Sequence, residues 1–578
     1  MSKWLIKAAN KEYKKIAQDF NINEILAKIL ANRDIEYEEI PGFLDPSREN
    51  SMHDPFLMKD MDKAVELIKE EIDNNSHIRI VGDYDQDGNS ATMTLIDGLL
   101  LFTENISYAI PHRVEDGYGI SKRIVEQAKE DNVDLIITCD NGISSFETVK
   151  LVRELGMKII VTDHHQLQKD SEERDILPDA NAVLNPNRQD CNYPFKNLCG
   201  AGVAFKLMYA LYSKYDEDLD YLMDLLEYVA MGTVADIVDL VDENRFFVKE
   251  GLNKIHHSNN YGMKALIREA GLEQDKINTY SLGFILGPCI NAAGRLDTAA
   301  WGIELFLEEN IERIDEIAKK LVSLNEERKA LTEDGLEAVT KKIEAEKIYE
   351  KDIIVVCEKS IHESLAGIIA GRVKEKYNRP TIVFTASSEE GVLKGSGRSI
   401  EEYNMYENIL VYKNLLKSFG GHPMAAGISL YEENFDLFYS SLLESANLTK
   451  DDLVEKKYLD SQLFIDRLNF EVVETLKKLE PYGKGNPTPL FGDRNVIVED
   501  MQIIGKNSNA LRMDLNVRGR KIKGISFSNS QEIKEIYDDI LGRKKHDMDC
   551  PQIDILYYPN INEYKGTKTL QIIVRDIR

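Results

Sequence analysis

Residues 77–88 read HIRIVGDYDQDG, residues 133–142 read VDLIITCDNG, and residues 157–166 read MKIIVTDHHQ. Each segment runs from a short apolar stretch rich in Ile and Val into an acidic or histidine-bearing turn. Apolar runs of this kind, separated by helical stretches, predict the strands of a parallel sheet in α/β units. In such sheets ligands sit beyond the carboxyl ends of the strands, which is where all three polar clusters fall. The fold class is therefore α/β, and the chemistry is expected along one sheet edge.

Asp83, Asp85 and Asp87 occupy alternate positions, so an extended turn would put them on one side, with Gly88 allowing close backbone approach. Three carboxylates so close repel one another unless cations neutralise them. Taken alone, the segment also reads as a solvated acidic turn. A calcium loop of the EF-hand kind needs Glu at its twelfth position, and counting from Asp83 or Asp85 reaches Thr94 or Ile96. The second strand ends in Asp140-Asn141-Gly142 and the third in Asp163-His164-His165. A lone Asp at a strand end is commonly a helix cap, but mixed carboxylate and imidazole donors suit Mn²⁺ or another first-row metal. Asp236, in GTVADIVDL (232–240), ends a further apolar stretch. As a set, these groups suit two cations about 3.5–4 Å apart that activate water and clamp a phosphoryl group. The P-loop pattern is absent and no Ser-His-Asp set competes. The reading is metal-dependent phosphoester hydrolysis.

Elsewhere, Arg113 in PHRVEDGYG, Arg295 in GPCINAAGRLD, Arg372 in HESLAGIIAGR and Arg398 in GSGRSI lie among glycines. Gly admits phosphate to backbone amides and Arg grips it bidentately, so GSGRSI, with Ser396 and Ser399, reads as an oxyanion pocket. His422 in GGHPMAAG is either a helix-start histidine or a group facing the reacting phosphate. The 578 residues carry 72 Lys+Arg and 100 Asp+Glu, a net charge of −28. That balance disfavours non-specific nucleic-acid binding by the whole surface but leaves room for a local basic groove. No apolar run approaches the roughly 18 residues of a membrane span, and the charged N-terminus does not read as a signal peptide. Six scattered cysteines without a C-x-x-C pair suggest reduced thiols and a cytoplasmic location.

The chain divides into a helical arm (1–50), a catalytic α/β domain (51–245), a helical linker (246–349), a second α/β domain (350–448) and a β-rich tail (449–578). Residues 298–348 predict one or two long helices, interrupted at most near Gly335. The tail has five short strand signals and suits a small barrel of the OB type. Its basic residues, Lys506, Arg512, Arg518, Arg520, Lys521 and Lys523, would make an electrostatic track for a single strand, or a solvated face. Aromatic stacking residues there are sparse.

GDYDQDG, CDNG, TDHHQ and VADIVDL, in this order, resemble the motifs of the DHH phosphoesterase superfamily. GPCINAAGRLD, HESLAGIIAGR, GSGRSI, GGHPMAAG and EPYGKGNPTP (480–489) resemble the further motifs of its RecJ family, single-strand-specific 5′→3′ DNA exonucleases. The resemblance implies a parallel-sheet DHH domain and a DHH-associated α/β domain joined by a long helix, with DNA threading between them and an OB-fold barrel behind. It implies that Asp83, Asp85, Asp87, Asp140, His164 and Asp236 hold two Mn²⁺ or Mg²⁺ ions. Asp85, Asp140 and His164 would then carry catalysis with His165, which faces the scissile phosphate, and His422 from the second lobe. Asp163 would orient a neighbouring imidazole. Arg113, Arg295, Arg372, Ser396, Arg398 and Ser399 would contact DNA, the GSGRSI pocket taking the 5′-terminal phosphate with Arg113 opposite. Cys289 departs from the family, which usually has Arg there. Single-stranded DNA is the implied partner, with a helicase and a single-strand-binding protein beside it and no membrane; DNA repair and recombination is the implied setting. The alternatives are a relative acting on short oligonucleotides or small nucleotides, and a non-catalytic DNA-binding scaffold.

Overall fold

The computed structural model describes residues 2–7, 12–113, 115–543, 550–564 and 566–578. Part of the expected helical arm, residues 8–11, lies outside them. The chain opens with β1 (Lys3–Ile6) and the helices Tyr13–Asp19 and Glu24–Asn32. The first α/β lobe carries β2 (Ile78–Val81), β3 (Ile106–Ala109), β4 (Leu135–Cys139), β5 (Lys158–Thr162) and β6 (Ala182–Leu184). All pair in parallel, in the order β3-β2-β4-β5-β6. Helices cover both faces. One side packs Leu135, Ile137 and Ile160 under the helices Gly200–Tyr215 and Leu226–Ala235, and the other packs Val81, Ile136 and Ile159 under Lys122–Glu130 and Phe146–Glu154. That double cover is why these strands are continuous apolar runs.

The helix Asp242–His257 runs across position 245/246 and buries Phe246 and Phe247 in the core of the first lobe. The expected long helix is two helices, Ala300–Leu307 and Ile311–Ala345, broken at 308–310 and not near Gly335. Asn310 makes the restart, its side chain accepting from the Arg313 amide at 3.1 Å. Gly335 stays helical because it is a contact point: a Cβ there would lie 2.7 Å from Ile369 Cδ1. At about 1.5 Å per residue the 35-residue helix spans roughly 50 Å. It starts in the first core with Ile314, Ile317 and Leu321 and ends in the second with Val339 and Ile343.

The second lobe contains β7 (Ile354–Cys357), β8 (Thr381–Ala386), β9 (Val392–Arg398), β10 (Leu416–His422) and β11 (Ala425–Tyr431), in the order β10-β11-β9-β8-β7. Only β7 and β8 pair in parallel. After β12 (Lys456–Leu459), the strands β13 (Phe491–Ile504), β14 (Ala510–Val517), β15 (Arg520–Phe527), β16 (Gln552–Tyr564) and β17 (Thr567–Ile577) close a barrel, β13-β14-β15-β17-β16. The N-terminal arm packs on this barrel: Leu26, Ile29 and Leu30 share a core with Phe491, Leu515 and Ile555, and β1 pairs in parallel with β12.

One buried side chain ties the arm, the first lobe and the tail together. Arg245 is 1% exposed and donates to the carbonyls of Phe43 (2.8 Å), Leu479 (2.9 Å), Lys478 (3.1 Å) and Glu480 (2.7 Å). Burial pushes its guanidinium down to about 10. Replacement by Met removes these donors and leaves buried carbonyls unpaired, at about 1–3 kcal/mol for each group. We expect Arg245→Met to lower the midpoint of urea unfolding well below wild type.

Candidate metal centre and phosphate cleft

The first acidic segment is not an extended turn. The helix Gln86–Leu100 starts inside it, and Asp85 caps that helix, its Oδ1 accepting from the amides of Asp87 (3.0 Å) and Gly88 (3.1 Å). Asp83 stays at the end of β2, and a Cβ on Gly88 would lie 2.6 Å from the Asp83 backbone, so only glycine lets the helix start this close. Asp87 turns inward, where the amides of Gly200 and Ala201, at the start of a second helix, donate to its oxygens at 2.6 and 3.0 Å. A helix N-terminus suits an anion.

Asp140 follows β4 with φ of 62°, a left-handed conformation that Asp tolerates better than most residues. His164, after β5, brings Nε2 to 3.1 Å from Asp140 Oδ1, 3.8 Å from Asp87 Oδ2 and 3.9 Å from Asp236 Oδ2. Asp236 comes from the C-terminal end of the helix Leu226–Ala235, so this donor reaches the sheet edge from a helix and not from a strand. The donors converge in three groups, each within 4.8 Å: Asp83, Asp85 and Asp140; Asp87, His164 and Asp236; and Asp140, His164 and His165.

Burial, then the neighbouring carboxylates, pushes the Asp140 and Asp236 carboxyls well above the usual range, and Asp83 follows through burial and Asp85. Burial and the adjacent His165 push His164 down. His165 goes the other way: burial opposes its charge, but the hydrogen bond from Nδ1 to Asp163 Oδ1, at 2.8 Å, raises it to about 9. Asp163 also accepts from the His164 and Ile143 amides at 2.7 and 2.9 Å. Asp83 Oδ1, Asp140 Oδ1 and His164 Nε2 are buried without a hydrogen-bond partner among the described residues. Unpartnered carboxylate and imidazole donors at this spacing fit divalent cations.

The expected arginines differ in what holds them. Arg113 lies over the Tyr84 ring at 3.8 Å, and its buried Nε has no partner among the described residues. Arg295 donates to the Ser364 carbonyl across the lobes. Arg398 donates to Ser396 Oγ at 3.0 Å and to the Gly397 carbonyl at 2.7 Å. Ala425 pairs with Arg398 on one side and His422 on the other, which aligns the arginine and the imidazole across the sheet. His422 lies in a strand, not at a helix start, and burial, then Arg398 and Lys484, lowers its pKa. Two expectations change. Ser399 is 2% exposed and gives its hydroxyl to the Tyr403 carbonyl, so it braces the turn after β9 and does not face the cleft. Arg372 pairs with Glu333 of the long helix, which offsets its charge. In the barrel, Arg518 is held by Asp466 and Asp493, and Lys521 by Glu499, so the expected basic track is partly neutralised.

Three neighbours of the site escaped the sequence reading. Tyr118 donates to the Asp140 carbonyl at 3.0 Å and lies 2.9 Å from His165 Nδ1; its place between two glycines was the available signal. Arg328 of the long helix donates to Asn325, whose amide reaches Cys289 Sγ at 3.3 Å, so a basic group stands close to Cys289 after all. Lys484, in the EPYGKGNPTP turn, lies 3.8 Å from Asp239.

A parallel-sheet lobe with carboxylates and imidazoles at its carboxyl edge, joined by a long helix to a second α/β lobe that Arg295 reaches, defines a DHH-type phosphoesterase. Family models agree: the DHH family N-terminal domain matches residues 77–233, the DHHA1 domain 350–447 and the RecJ OB domain 459–576. The chain is 31% identical over 577 residues to the single-stranded-DNA-specific exonuclease RecJ of Bacillus subtilis, covering 99% of this chain and 70% of that protein. It is 35% identical to the Escherichia coli protein of the same name, covering 89% and 90%. Among solved structures, RecJ of Thermus thermophilus in complex with Mn²⁺ superimposes with a TM-score of 0.82 at 26% identity, over all of this chain and 79% of that one. The chain belongs to the RecJ family.

The crowding of the centre gives a direct test. A Cβ on Gly200 would lie 2.4 Å from Asp140 Cβ. Gly200→Ala therefore has to displace Asp140 or the helix whose amides hold Asp87, at about 1–3 kcal/mol. We expect a modest fall in melting temperature, a much larger loss of metal-dependent cleavage, and weakened Mn²⁺ binding by calorimetry.

Proposed function

We propose that the chain is a metal-dependent 5′→3′ exonuclease that hydrolyses phosphodiester bonds in single-stranded DNA and serves DNA repair and recombination. The observation that carries the metal-dependent part is the trio of buried, unpartnered donors, Asp83 Oδ1, Asp140 Oδ1 and His164 Nε2, inside the converging acidic groups. The substrate follows the relatives, whose names specify single-stranded DNA. Asp83, Asp85, Asp87, Asp140, His164 and Asp236 would hold two Mn²⁺ or Mg²⁺ ions, which supply water activation and offset phosphoryl charge. Asp163 fixes the ring of His165, whose charge then faces a phosphate oxygen. Arg113 and Arg295 hold the backbone on the first lobe. Arg398, steadied by Ser396, takes the 5′-terminal phosphate, which sets polarity, and His422 closes the site from the second lobe. Cytoplasmic location and work beside a helicase and a single-strand-binding protein belong to the same proposal; six free thiols suit a reducing compartment.

Strands labelled at the 5′ or 3′ end, incubated with Mn²⁺ or with EDTA, test the activity. Mononucleotides should be released from the 5′ end, only with metal and only from single strands. Asp140→Ala should show no cleavage at any Mn²⁺ concentration while unfolding cooperatively, because removing one of several repelling carboxylates does not weaken the apo fold. Cleavage at wild-type rates would remove Asp140 from the metal site.

Polarity is tested separately. Losing a charge-assisted contact to phosphate costs about 1.5–3 kcal/mol, roughly 10- to 150-fold in affinity. Arg398→Ala should impose that loss on 5′-phosphorylated strands and far less on 5′-hydroxyl strands. Equal losses would make Arg398 a backbone contact.

A further inference from the structure

Two side chains that reach the centre, Arg113 and Tyr118, come from a segment with no regular structure of its own. Its described residues, between β3 and the helix Lys122–Glu130, form neither strand nor helix. Arg113 lies over the Tyr84 ring, and Tyr118 donates to the Asp140 carbonyl. Gly117 and Gly119, with φ of 79° and 81°, supply the left-handed bends on either side of Tyr118. Bends of that kind give a direction only if the segment is fixed elsewhere.

Asp116 is the fixed point. Its side chain is 4% exposed although it stands in a turn. Oδ2 accepts from the His112 amide at 2.8 Å, and Oδ1 accepts from Ser121 Oγ at 2.8 Å and from Arg123 Nε at 3.0 Å. Arg123 reaches Oδ2 as well. The Asp116 amide donates to the His112 carbonyl at 2.9 Å. One carboxylate thus joins the residue before Arg113 to Ser121, which caps the next helix by accepting from the Ile124 amide at 3.3 Å. Burial opposes its charge, but Arg123 and the His112 amide outweigh burial and hold the carboxyl down at about 2. Four donors fill the roughly four lone-pair sites of a carboxylate, so none is left for a cation. The pair with Arg123, which is 62% exposed, contributes little to stability by itself. What the arrangement fixes is geometry.

We infer that Asp116 is a positioning residue that sets Arg113 and Tyr118 as one unit beside the metal centre. This inference rests on the nuclease reading and adds a determinant of its binding and turnover. The two side chains serve different steps. Arg113 brings a guanidinium whose Nε has no partner among the described residues, so its loss is felt in strand binding. Tyr118 places a hydroxyl between the Asp140 carbonyl and His165 Nδ1, so its loss is felt in turnover. Displacing a reacting or positioning group by about 1 Å can cost roughly 100-fold in rate. Asp116 reaches both steps without a free acceptor of its own for metal or substrate.

The test uses the full-length protein and two readouts: binding of a 5′-phosphorylated single strand by anisotropy in EDTA, and kcat on that strand with saturating Mn²⁺. Arg113→Ala should weaken binding roughly 10- to 150-fold, the range for a lost charge-assisted contact to phosphate. Asp116→Ala should weaken it too, and the variant carrying both changes should bind no more weakly than Arg113→Ala alone. In turnover, Asp116→Ala should lose up to about 100-fold, most of which vanishes when it is introduced into Tyr118→Phe. Non-additivity of this kind marks groups that act as a unit. A general loss of stability would instead lower every background by the same factor. If Asp116→Ala does not unfold cooperatively, Arg123→Ala removes an exposed partner of the same carboxylate and carries the same two cycles with smaller losses. Wild-type binding and turnover in the aspartate and arginine variants, or losses that multiply in both cycles, would overturn the assignment. A wild-type chain that neither binds the strand in EDTA nor shortens it with Mn²⁺ would overturn the nuclease reading itself.

Discussion

Carboxylate repulsion in a buried place is the constraint on which the rest of this structure depends. Asp83, Asp87 and Asp140 are each about 2% exposed, and Asp85 and Asp236 join them within a few ångströms. Like charges at such distances in a medium of low dielectric push carboxyl groups toward neutrality. The chain counters this with backbone dipoles where it can. Two amides at the start of Gly200–Tyr215 serve Asp87, and two at the start of Gln86–Leu100 serve Asp85. What those amides leave exposed to one another, the oxygens of Asp83 and Asp140, is the part that asks for cations. A parallel sheet suits the task because its strand ends and helix starts alternate along one edge.

The same geometry explains which parts of the site were legible in the sequence. Strand followed by acidic turn is a local signal, so Asp83, Asp85, Asp87, Asp140 and His164 could be found from runs of a dozen residues. Asp236 was found by the same pattern, yet it leaves a helix whose burial on all sides made it as apolar as a strand. The break at 308–310 was missed because polar residues there keep helical composition, while Gly335, a plausible breaker, is retained for packing against Ile369. Ser399 was misread because its hydroxyl partner, Tyr403, is a local turn contact that a Gly/Ser/Arg composition does not distinguish from a phosphate cradle. Arg328 and Lys484 were invisible for a different reason: each gains its meaning only from residues brought near by the fold, and Tyr118 had only its flanking glycines to mark it.

Contacts between the lobes and the tail are made by main-chain acceptors more than by ion pairs. Arg245, on the first lobe, is surrounded by carbonyls from the arm and the tail, and Arg295 reaches a carbonyl of the opposite lobe. Carbonyl acceptors place a guanidinium without cancelling its charge. That distinction matters in the cleft, where a neutralised arginine would lose its attraction for phosphate. Arg372, paired with Glu333, and Arg518, paired with two aspartates, show the other arrangement, in which the cation is used to hold protein to protein.

These distributions account for how a chain of net charge −28 can approach a polyanion. Long-range attraction is weak, and the barrel's basic residues are partly occupied by acidic neighbours, so capture cannot depend on a broad electrostatic field. Uncancelled charge is instead kept at Arg113 and Arg295, which feel Asp83 and Asp85 of the acidic centre, and at Arg398 on the second lobe. An acidic centre repels phosphate until cations fill it, after which the sign of the local field reverses. Filled with cations, the centre would meet phosphate with a favourable field as well as supply the chemistry.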